Sequence, residues 1–302
     1  MAQKQSNLWL WLVVGMGVFV FFILCLAALA MMFAEDGSSH VSLSSNQVAS
    51  LEITGTITDS KAFVDELNDY GKRSGVKAVL IRIDSPGGGV AASQEIYEAI
   101  KKFRKETKKK VVVSMASTAA SGGYYIACGA DKIFANPGTV TGSIGVIAQW
   151  YDYSDLLHWA KMQSVVIKSG ELKDSGSGSR PVTEEERVYF QTLIDDMYSQ
   201  FVIAVADGRN MPEEEVRKLA DGRVYTGLQA KEHNLIDELG TFQDAVGEAA
   251  RLGGIEGEPK LLTPLKKRFS TLEMLLGNAE AILPLGSVNG SESHIRFEYL
   301  WR

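Results

Sequence analysis

A run of small residues in the middle of this chain joins a β-branched segment to an apolar one, and few folds accommodate such a junction. Residues 111–113 predict a strand, residues 119–123 a tight turn and residues 124–127 a buried helix. Ser121 lies at the corner, where backbone N–H groups and the positive end of a helix dipole can stabilise a developing negative charge. Ser121 is therefore a candidate nucleophile, although small residues that only fill a crowded crossing of strand and helix would give the same pattern.

The same order of strand, turn and helix occurs earlier in the chain. Residues 48–57 and 76–83 have the pattern of strands, residues 60–74 and 90–107 have helical spacing, and glycines fill a turn at residues 85–89. This alternation predicts an α/β fold with mostly parallel pairing. Glycines at such a turn allow backbone N–H groups to point inward, so Gly88 and Gly122 are candidate oxyanion donors. A loop without a catalytic role or a phosphate cradle is the alternative, but the nucleotide-binding glycine patterns are absent.

The later part of the chain continues the alternation. Its pattern predicts strands at residues 132–135, 139–147 and 164–168 and a short helix at residues 153–160. A polar loop at residues 169–181 carries Lys173. Thr183 followed by Glu186 forms a capping box that predicts the start of a helix, which apolar spacing extends to about residue 207. Residues 253–302 have no pattern that predicts their structure, beyond short apolar patches such as residues 297–301.

Composition limits the classes of protein to which the chain can belong. Of its 302 residues 45% are hydrophobic, enough for a buried core, and the net charge of −6 argues against a nucleic-acid partner. None of the four histidines has an acidic partner or metal-ligand spacing, which argues against a Ser–His–Asp triad and against a metal site. A serine nucleophile would then need a lysine base. The pKa of such a lysine must fall by roughly 3 units from about 10.4 through burial, at a cost of about 4 kcal/mol.

The N-terminal region predicts a membrane anchor. Residues 8–33 contain no charged residue, and this run exceeds the roughly 20 residues that a helix needs to cross a hydrocarbon core. Lys4 precedes the run and Glu35 follows it, which places residues 1–7 in the cytoplasm and the body of the chain outside. A cleaved signal peptide is the alternative, because residues 28–30 have the form of a cleavage site. Residues 34–47 predict a flexible tether.

Six segments together resemble a known family. They are SPGGG at residues 85–89, ASGGYYIA at residues 120–127, TGSIGVI at residues 141–147, KSGELKD at residues 168–174, RPVTEEER at residues 180–187 and DGRVYTGLQAKEHNLIDELG at residues 221–240. In this order they resemble the signal peptide peptidase A family of serine peptidases, in its short, membrane-anchored bacterial form. The resemblance covers roughly residues 48–252, the predicted peptidase domain, and leaves residues 253–302 as a tail.

The resemblance assigns roles to the candidate residues. It implies that Ser121 is the nucleophile, that Lys173 is the general base, and that Ser143 supports the lysine amine. Gly88 and Gly122 are the implied oxyanion donors. The implied fold is an α/β, ClpP/crotonase-like spiral of ββα units, preceded by one N-terminal transmembrane helix. The dyad is expected to be completed within one chain, and the chains are expected to form a homo-oligomeric ring, an octamer.

The implied activity is that of a membrane-anchored serine endopeptidase without a metal or other cofactor. Its expected substrates are remnant signal peptides and other extended apolar peptides, with small or aliphatic side chains preferred. It would lie in the bacterial inner membrane with its catalytic domain on the outer, periplasmic side. Lys168 is the rival for the role of base. The alternatives are a Ser–Lys peptidase of stomatin-like membrane proteins, a crotonase-like enzyme acting on acyl-CoA, and a non-catalytic scaffold of the same fold.

Overall fold

The computed structural model describes residues 15–24, 46–263 and 297–301, and the chain divides into two units, Met1–Leu43 and Ser44–Arg302. In the first unit, residues 15–24 form a helix, α1, with exposed side chains. The predicted membrane span at residues 8–33 and the predicted tether at residues 34–47 lie mostly outside the described residues. Among the helices that the structure describes, none is both long enough and apolar enough to cross a membrane.

Strands and helices alternate along the second unit. The strands are β1 (Gln47–Thr54), β2 (Val76–Ser85), β3 (Gly87–Gly89), β4 (Lys110–Ala120), β5 (Lys132–Ala135), β6 (Val140–Gly142), β7 (Ile147–Ala148), β8 (Val224–Thr226), β9 (Glu238–Leu239), β10 (Lys260–Leu262) and β11 (Phe297–Leu300). The helices are α2 (Lys61–Lys72), α3 (Val90–Thr107), α4 (Gly122–Ala127), α5 (Ser154–Trp159), α6 (Glu184–Arg209), α7 (Glu213–Leu219), α8 (Gly227–Glu232) and α9 (Phe242–Leu252), and a 3₁₀ turn covers Glu171–Asp174.

The larger sheet forms the centre of this unit. Its strands lie in the order β10-β1-β2-β4-β5-β9 with parallel neighbours, while β6 pairs parallel with β4 and antiparallel with β8. Alternate residues of β2 enter two cores: Val79 and Ile81 pack with residues of α3 and α4, whereas Ala78 and Leu80 pack with residues of α9. A sheet buried on both faces is typical of parallel pairing. The predicted α/β class with mostly parallel strands is confirmed.

Two predicted strands differ from the structure. Residues 139–147 do not form a single strand, because Gly142 and Ser143 have φ angles of 77° and 50° and turn the chain between β6 and β7. The predicted strand at residues 164–168 is wrong. These residues alternate as a strand does, but no described strand lies beside them to pair with their backbone, and Ile167 is 97% exposed.

The smaller sheet contains the last described strand of the chain. β11 lies between β3 and β7 and runs antiparallel to both, with Tyr299 opposite Gly88 and Phe297 opposite Ala148. It also contacts α3 and α4. Strand β11 therefore lies beside the corner that contains Ser121.

Thr183→Ala should lower the free energy of unfolding by about 1 kcal/mol, because the Thr183 hydroxyl accepts a hydrogen bond from Glu186 N at the start of α6. The matched control is Thr192→Ala in the same helix. The Thr192 hydroxyl donates to the Val188 carbonyl on an exposed face, and alanine has the higher helix propensity, so this change should cost almost nothing. Chemical denaturation followed by circular dichroism measures both variants, and equal losses would contradict the capping role.

Candidate active site

Ser121 lies at the corner where β4 ends and α4 begins. Its backbone has φ 52° and ψ −113°, a conformation that an L-residue rarely adopts, and two hydrogen bonds hold it there. Ser121 N donates to the Gly142 carbonyl (2.8 Å), and the Ser121 carbonyl accepts from Tyr125 N (2.8 Å). The side chain is 0% exposed, and its Oγ has no hydrogen-bond partner among the described residues. A buried hydroxyl without a partner is costly, and a catalytic role is one explanation for it.

Gly88 presents its backbone N–H toward the same region. On one edge of β3, the Gly87 carbonyl accepts from Ile57 N (2.9 Å) and Gly89 N donates to the Ile57 carbonyl (2.8 Å). Because successive peptide groups of a strand point to alternate edges, the N–H of Gly88 points to the other edge. A Cβ at Gly88 would overlap the Ile57 carbonyl, so only glycine allows β3 to approach Ile57 this closely.

Gly122 adds a second backbone donor. It is the first residue of α4, so its N–H has no acceptor within the helix. A Cβ built on Gly122 would lie 3.2 Å from Gly88 N and 3.2 Å from the Tyr299 carbonyl oxygen. The structure therefore brings the backbones of Gly88 and Gly122 together, directly beside Ser121. Their role as oxyanion donors stays a prediction.

Strand β11 of the same chain lies next to these backbone donors. Tyr299 is opposite Gly88 in the register of β11 and β3, and Trp301 N donates to the Pro86 carbonyl (2.8 Å). In this register the peptide groups of Tyr299 and Gly88 face each other, so the Gly88 N–H points toward the Tyr299 carbonyl oxygen. The site thus contains an extended strand with a carbonyl beside both candidate donors. Sequence reasoning missed this strand, since residues 297–301 show only a short apolar patch.

Ser143 lies next to the corner on the neighbouring strand. Ala120 pairs with Gly142, so Ser121 and Ser143 directly follow two paired strands, β4 and β6. Ser143 is buried and lines a pocket of about 470 Å³, together with Leu300 of β11 and with Trp301. The structure therefore places Ser143 near both Ser121 and the C-terminal strand.

Lys173 is exposed and is not hydrogen-bonded to Ser121. It lies on the turn Glu171–Asp174, its side chain is exposed, and its Nζ forms no hydrogen bond or ion pair with a described residue. The Ser121 Oγ also has no partner among those residues, so it forms no hydrogen bond with Lys173, and the expectation that one chain completes the dyad stays a prediction. Residues 160–170 pair with no described strand.

An ion-pair network holds the turn that carries Lys173. The Arg180 guanidinium donates to both carboxylate oxygens of Asp174 (2.9 and 3.1 Å) and to both of Glu186 (2.5 and 2.9 Å). Lys168 donates to Asp174 (2.6 Å), so the ammonium of this rival base is committed to the network. Hydrogen bonds from Arg180 hold the pKa of Asp174 well below its ordinary range and lower the pKa of Glu186 to about 2. Sequence reasoning missed the network. Its only signal was the spacing of Lys168 and Asp174 in one segment and of Arg180 and Glu186 in the next.

Metal ligands do not gather at this corner. Within residues 15–24, 46–263 and 297–301, no group of three or more His, Cys, Asp or Glu side chains is placed to hold an ion. Cys128 is buried near Tyr124, and burial raises the pKa of its thiol to about 12. The described groups that the corner offers to a ligand are a hydroxyl and backbone N–H groups.

Glu186→Gln should destabilise the fold near neutral pH and have less effect in acid. The pKa of Glu186 in the folded chain, about 2, is below its ordinary value of 4.5, so the ionised carboxylate contributes stability that is complete above about pH 4.5. This contribution is lost as the pH falls through about 2. The difference in melting temperature between wild type and variant should therefore be largest at about pH 6 and shrink below about pH 4.5.

The matched control for this prediction is Glu184→Gln in the same helical turn. Glu184 is exposed and forms a surface pair with Arg187 (3.7 Å), which contributes little to stability. The control should show a small difference at every pH. A Glu186→Gln difference that stays constant across the whole range would contradict the pairing with Arg180.

Comparison with known proteins identifies the family. The family model described as "Peptidase family S49" matches residues 103–256, half of the chain, and a model described as "Clp protease" matches residues 42–140. A provisionally described protease of Synechocystis sp. is 46% identical over 75% of this chain and 79% of that protein. A provisionally described signal peptide peptidase of Enterococcus faecium is 39% identical over 70% of this chain and 64% of that protein.

A longer relative is matched over part of its length. Protease 4 of Haemophilus influenzae is 34% identical over 68% of this chain, and the match covers 35% of that protein. A solved structure of 1510-N, a membrane-bound stomatin-specific protease, shares 16% identity with a TM-score of 0.46, a likeness that supports no statement about fold or substrate. The family match over half of the chain and the relative covered over 79% of its length agree. The chain belongs to peptidase family S49 and is a peptidase.

Proposed function

We propose that the chain is a serine endopeptidase that uses Ser121 as its nucleophile in a Ser–Lys dyad. The observation that supports this most strongly is the position of β11, which lies extended with the Tyr299 carbonyl facing Gly88 and close to Gly122. Acyl transfer needs a peptide carbonyl beside a nucleophile and two N–H donors. The corner at Ser121 offers these groups to a bound peptide.

In the proposed reaction, the Ser121 Oγ bonds to the carbonyl carbon of the substrate while neutral Lys173 accepts the hydroxyl proton. The N–H groups of Gly88 and Gly122 stabilise the oxyanion, and each such donor typically contributes about 3–4 kcal/mol. Lys173 then gives the proton to the leaving amine as the C–N bond breaks. Water hydrolyses the remaining ester, with Lys173 again as the base, and restores the Ser121 hydroxyl. Ser143 supports the lysine amine.

In this proposal the base comes from a second copy of the chain. Residues 151–172, here named the apolar arm, lead to Lys173 and expose Trp159 (81%), Val165 (81%) and Ile167 (97%). Large apolar side chains exposed along one segment are typical of a surface that another protein covers. A second copy packed on the apolar arm would bury them, and would bring the Lys173 of one chain to the Ser121 of the next. In the predicted homo-oligomeric ring, an octamer, this contact would recur between each pair of neighbouring chains.

The proposal includes the anchor and the substrate class. The charge-free run at residues 8–33 would span the bacterial inner membrane, with residues 1–7 in the cytoplasm. It would hold a ClpP/crotonase-like spiral of ββα units on the outer, periplasmic side. Remnant signal peptides lie in the same membrane as apolar segments, and the description of the Enterococcus faecium relative supports them as substrates.

Ser121→Ala and Lys173→Ala should each reduce the cleavage of a synthetic signal peptide by about 10⁴-fold or more, because each removes one member of the dyad. Lys168→Ala is the matched control, since Lys168 lies on the same loop with its ammonium paired to Asp174, and it should keep most of the activity. Values of kcat/KM are compared after circular dichroism has verified the fold of each variant. If Lys168→Ala loses activity and Lys173→Ala keeps it, Lys168 is the base and the assignment of Lys173 is wrong.

A mixing experiment tests the second copy. Ser121→Ala chains keep Lys173 and Lys173→Ala chains keep Ser121, so co-assembly of the two inactive variants should restore activity when the dyad forms between copies. Native mass spectrometry verifies that the assemblies contain both chains. Mixed assemblies without recovered activity would contradict a dyad formed between copies.

A further inference from the structure

Lysine side chains gather where the parallel strands of the larger sheet begin. Ser121 follows the last residue of β4, so this edge is at the opposite end of the strand from the candidate active site. Several strands that pair in parallel have a lysine as their first or second residue. They are β2 with Lys77, β4 with Lys110, β5 with Lys132 and β10 with Lys260. Because parallel strands share one direction, these lysines lie along one edge of the sheet.

Helices α2 and α3 end at the same edge with further cations. Residues 101–110, with the sequence KKFRKETKKK, contain seven lysines and arginines and one glutamate, although the net charge of the whole chain is −6. Lys109 joins the two helix ends, because its Nζ donates to three carbonyls at the end of α2. These carbonyls belong to Tyr70, Gly71 and Arg73 (2.9, 2.8 and 2.8 Å). The basic edge is the name used here for Arg73, Lys77, Lys260 and residues 101–110.

Carboxylates neutralise only part of the charge of the basic edge. The pairs are Arg104 and Lys110 with Asp131, Lys101 with Glu98 and Asp207, and Lys102 with Glu106. Lys105 and Lys108 are exposed, and their side chains form no hydrogen bond or ion pair with a described residue. Burial, and then the positive charge of Lys77, lower the pKa of Lys109. The described residues therefore leave crowded positive charge at this edge without an anion.

The backbone at Lys108 gives no local reason for a lysine. Lys108 ends α3 in the left-handed conformation, with φ 60°, where glycine is the usual residue. Its N–H donates to the Arg104 carbonyl (3.2 Å), a hydrogen bond that glycine would keep. The lysine therefore costs conformational energy at this position, and a contact of its ammonium group with an anion would offset that cost.

A groove between these side chains has room for phosphate groups. Its volume is about 790 Å³, and the cations that line it include Lys101, Lys105, Lys108 and Lys110. The carboxylates that line it, those of Glu98, Glu106 and Asp131, are each paired with a cation. Lysine ammonium groups on flexible stems bind phosphate as point charges. The groove therefore fits head groups that carry phosphate.

The path of the chain would bring this edge near a membrane. β1 begins at Gln47, which pairs with Val76 and Lys260 at the basic edge. The charge-free run ends at residue 33, and residues 34–46 separate it from β1. Even fully extended, these residues reach roughly 45 Å. A membrane that held residues 8–33 would therefore lie within roughly 45 Å of the start of β1.

We propose that the basic edge docks on the anionic phosphate head groups of the membrane that holds the chain. This inference rests on the proposed function for the anchor at residues 8–33, and it concerns a surface away from the site of cleavage. An anionic lipid surface extends over many head groups, so it neutralises cations spread along a whole edge. Nucleic acid has the same phosphate chemistry, but the anchor favours lipid, because it would hold head groups within reach of this edge.

Acetylation of lysines in the full chain tests the docking. The chain is mixed with an excess of phosphatidylcholine nanodiscs, with or without an equal part of phosphatidylglycerol, and mass spectrometry follows the modification. Lys105 and Lys108 should react about fivefold more slowly with the anionic discs, the factor that one lysine near an anionic surface contributes. Lys218, exposed on α7, is the internal control and should react equally with both discs. Equal rates at Lys105 and Lys108 with the two discs would overturn the proposal.

Salt and DNA identify the cause of the protection. Salt at about 1 M should remove it, because ions screen charges at a surface, and protection that persists would contradict docking by charge. Duplex DNA is added to the chain with neutral discs as the other source of phosphate. If DNA protects Lys105 and Lys108 and anionic discs do not, the lipid assignment is wrong.

Variants at Lys108 separate docking from a role in folding. Lys108→Glu should weaken docking about 25-fold, because it removes one attraction and adds one repulsion, so Lys105 should lose its protection. Lys108→Gly should weaken docking about fivefold while the melting temperature stays equal or rises, since glycine suits φ 60°. Lys218→Glu carries the same change of charge and should leave Lys105 protected. A lower melting temperature of Lys108→Gly with unchanged protection would overturn the proposal.

The acetylation is measured without a substrate, so its result does not depend on cleavage. A chain that cleaves no signal peptide but shows protected Lys105 and Lys108 would contradict the proposed peptidase and support the docking. A chain that cleaves the peptide while both lysines react equally with the two discs would support the peptidase and overturn the docking.

Discussion

The pairing of Ile57 with Gly87 and Gly89 fixes the direction of the two peptide groups that flank Gly88. These two hydrogen bonds occupy one edge of β3 and leave the N–H and carbonyl of Gly88 on the other edge. A backbone donor is thereby held in place without a side chain of its own, and the strand cannot rotate without breaking both bonds. The start of α4, the corner at Ser121 and the position of β11 all lie around this edge.

A single chain brings the candidate nucleophile and the candidate donors together, whereas the candidate base lies on an exposed turn. Ser121 is buried and held by backbone hydrogen bonds to Gly142 and Tyr125, whereas Lys173 lies on an exposed turn. The turn itself is well defined, because Arg180 joins Asp174 to Glu186. A turn held in this way loses little conformational entropy when another molecule contacts it.

Much of the fold follows from the sequence, because periodic burial leaves a periodic pattern. Helix α3 occupies the predicted residues 90–107, and α6 begins at the predicted capping box of Thr183 and Glu186. The corner at Ser121 could also be located, because only small residues fit between a buried strand and a buried helix. The structure places Ser121 at the predicted junction, between the end of β4 and the start of α4.

The remaining parts could not be predicted, because they depend on partners that are distant in the chain. Residues 164–168 have the alternation of a strand, yet pairing needs a neighbour that local sequence does not specify. The four residues of β11 have almost no sequence pattern that predicts a strand. Their neighbours are glycines of β3 and aromatic rings such as Tyr125, which lie more than a hundred positions earlier in the chain. The position of Lys173 relative to Ser121 is a property of the loop and its packing, and the spacing of the two residues in the chain does not determine it.

The arrangement of β3 and β7 has a consequence for the polarity of any peptide between them. Both strands run antiparallel to β11, so they are parallel to each other and separated by the width of one strand. A peptide that entered in the opposite direction would pair in parallel with both, and its slanted hydrogen bonds would shift the carbonyl that now faces Gly88. The space between β3 and β7 that β11 fills therefore distinguishes the two directions of a strand by backbone geometry alone, independently of its side chains.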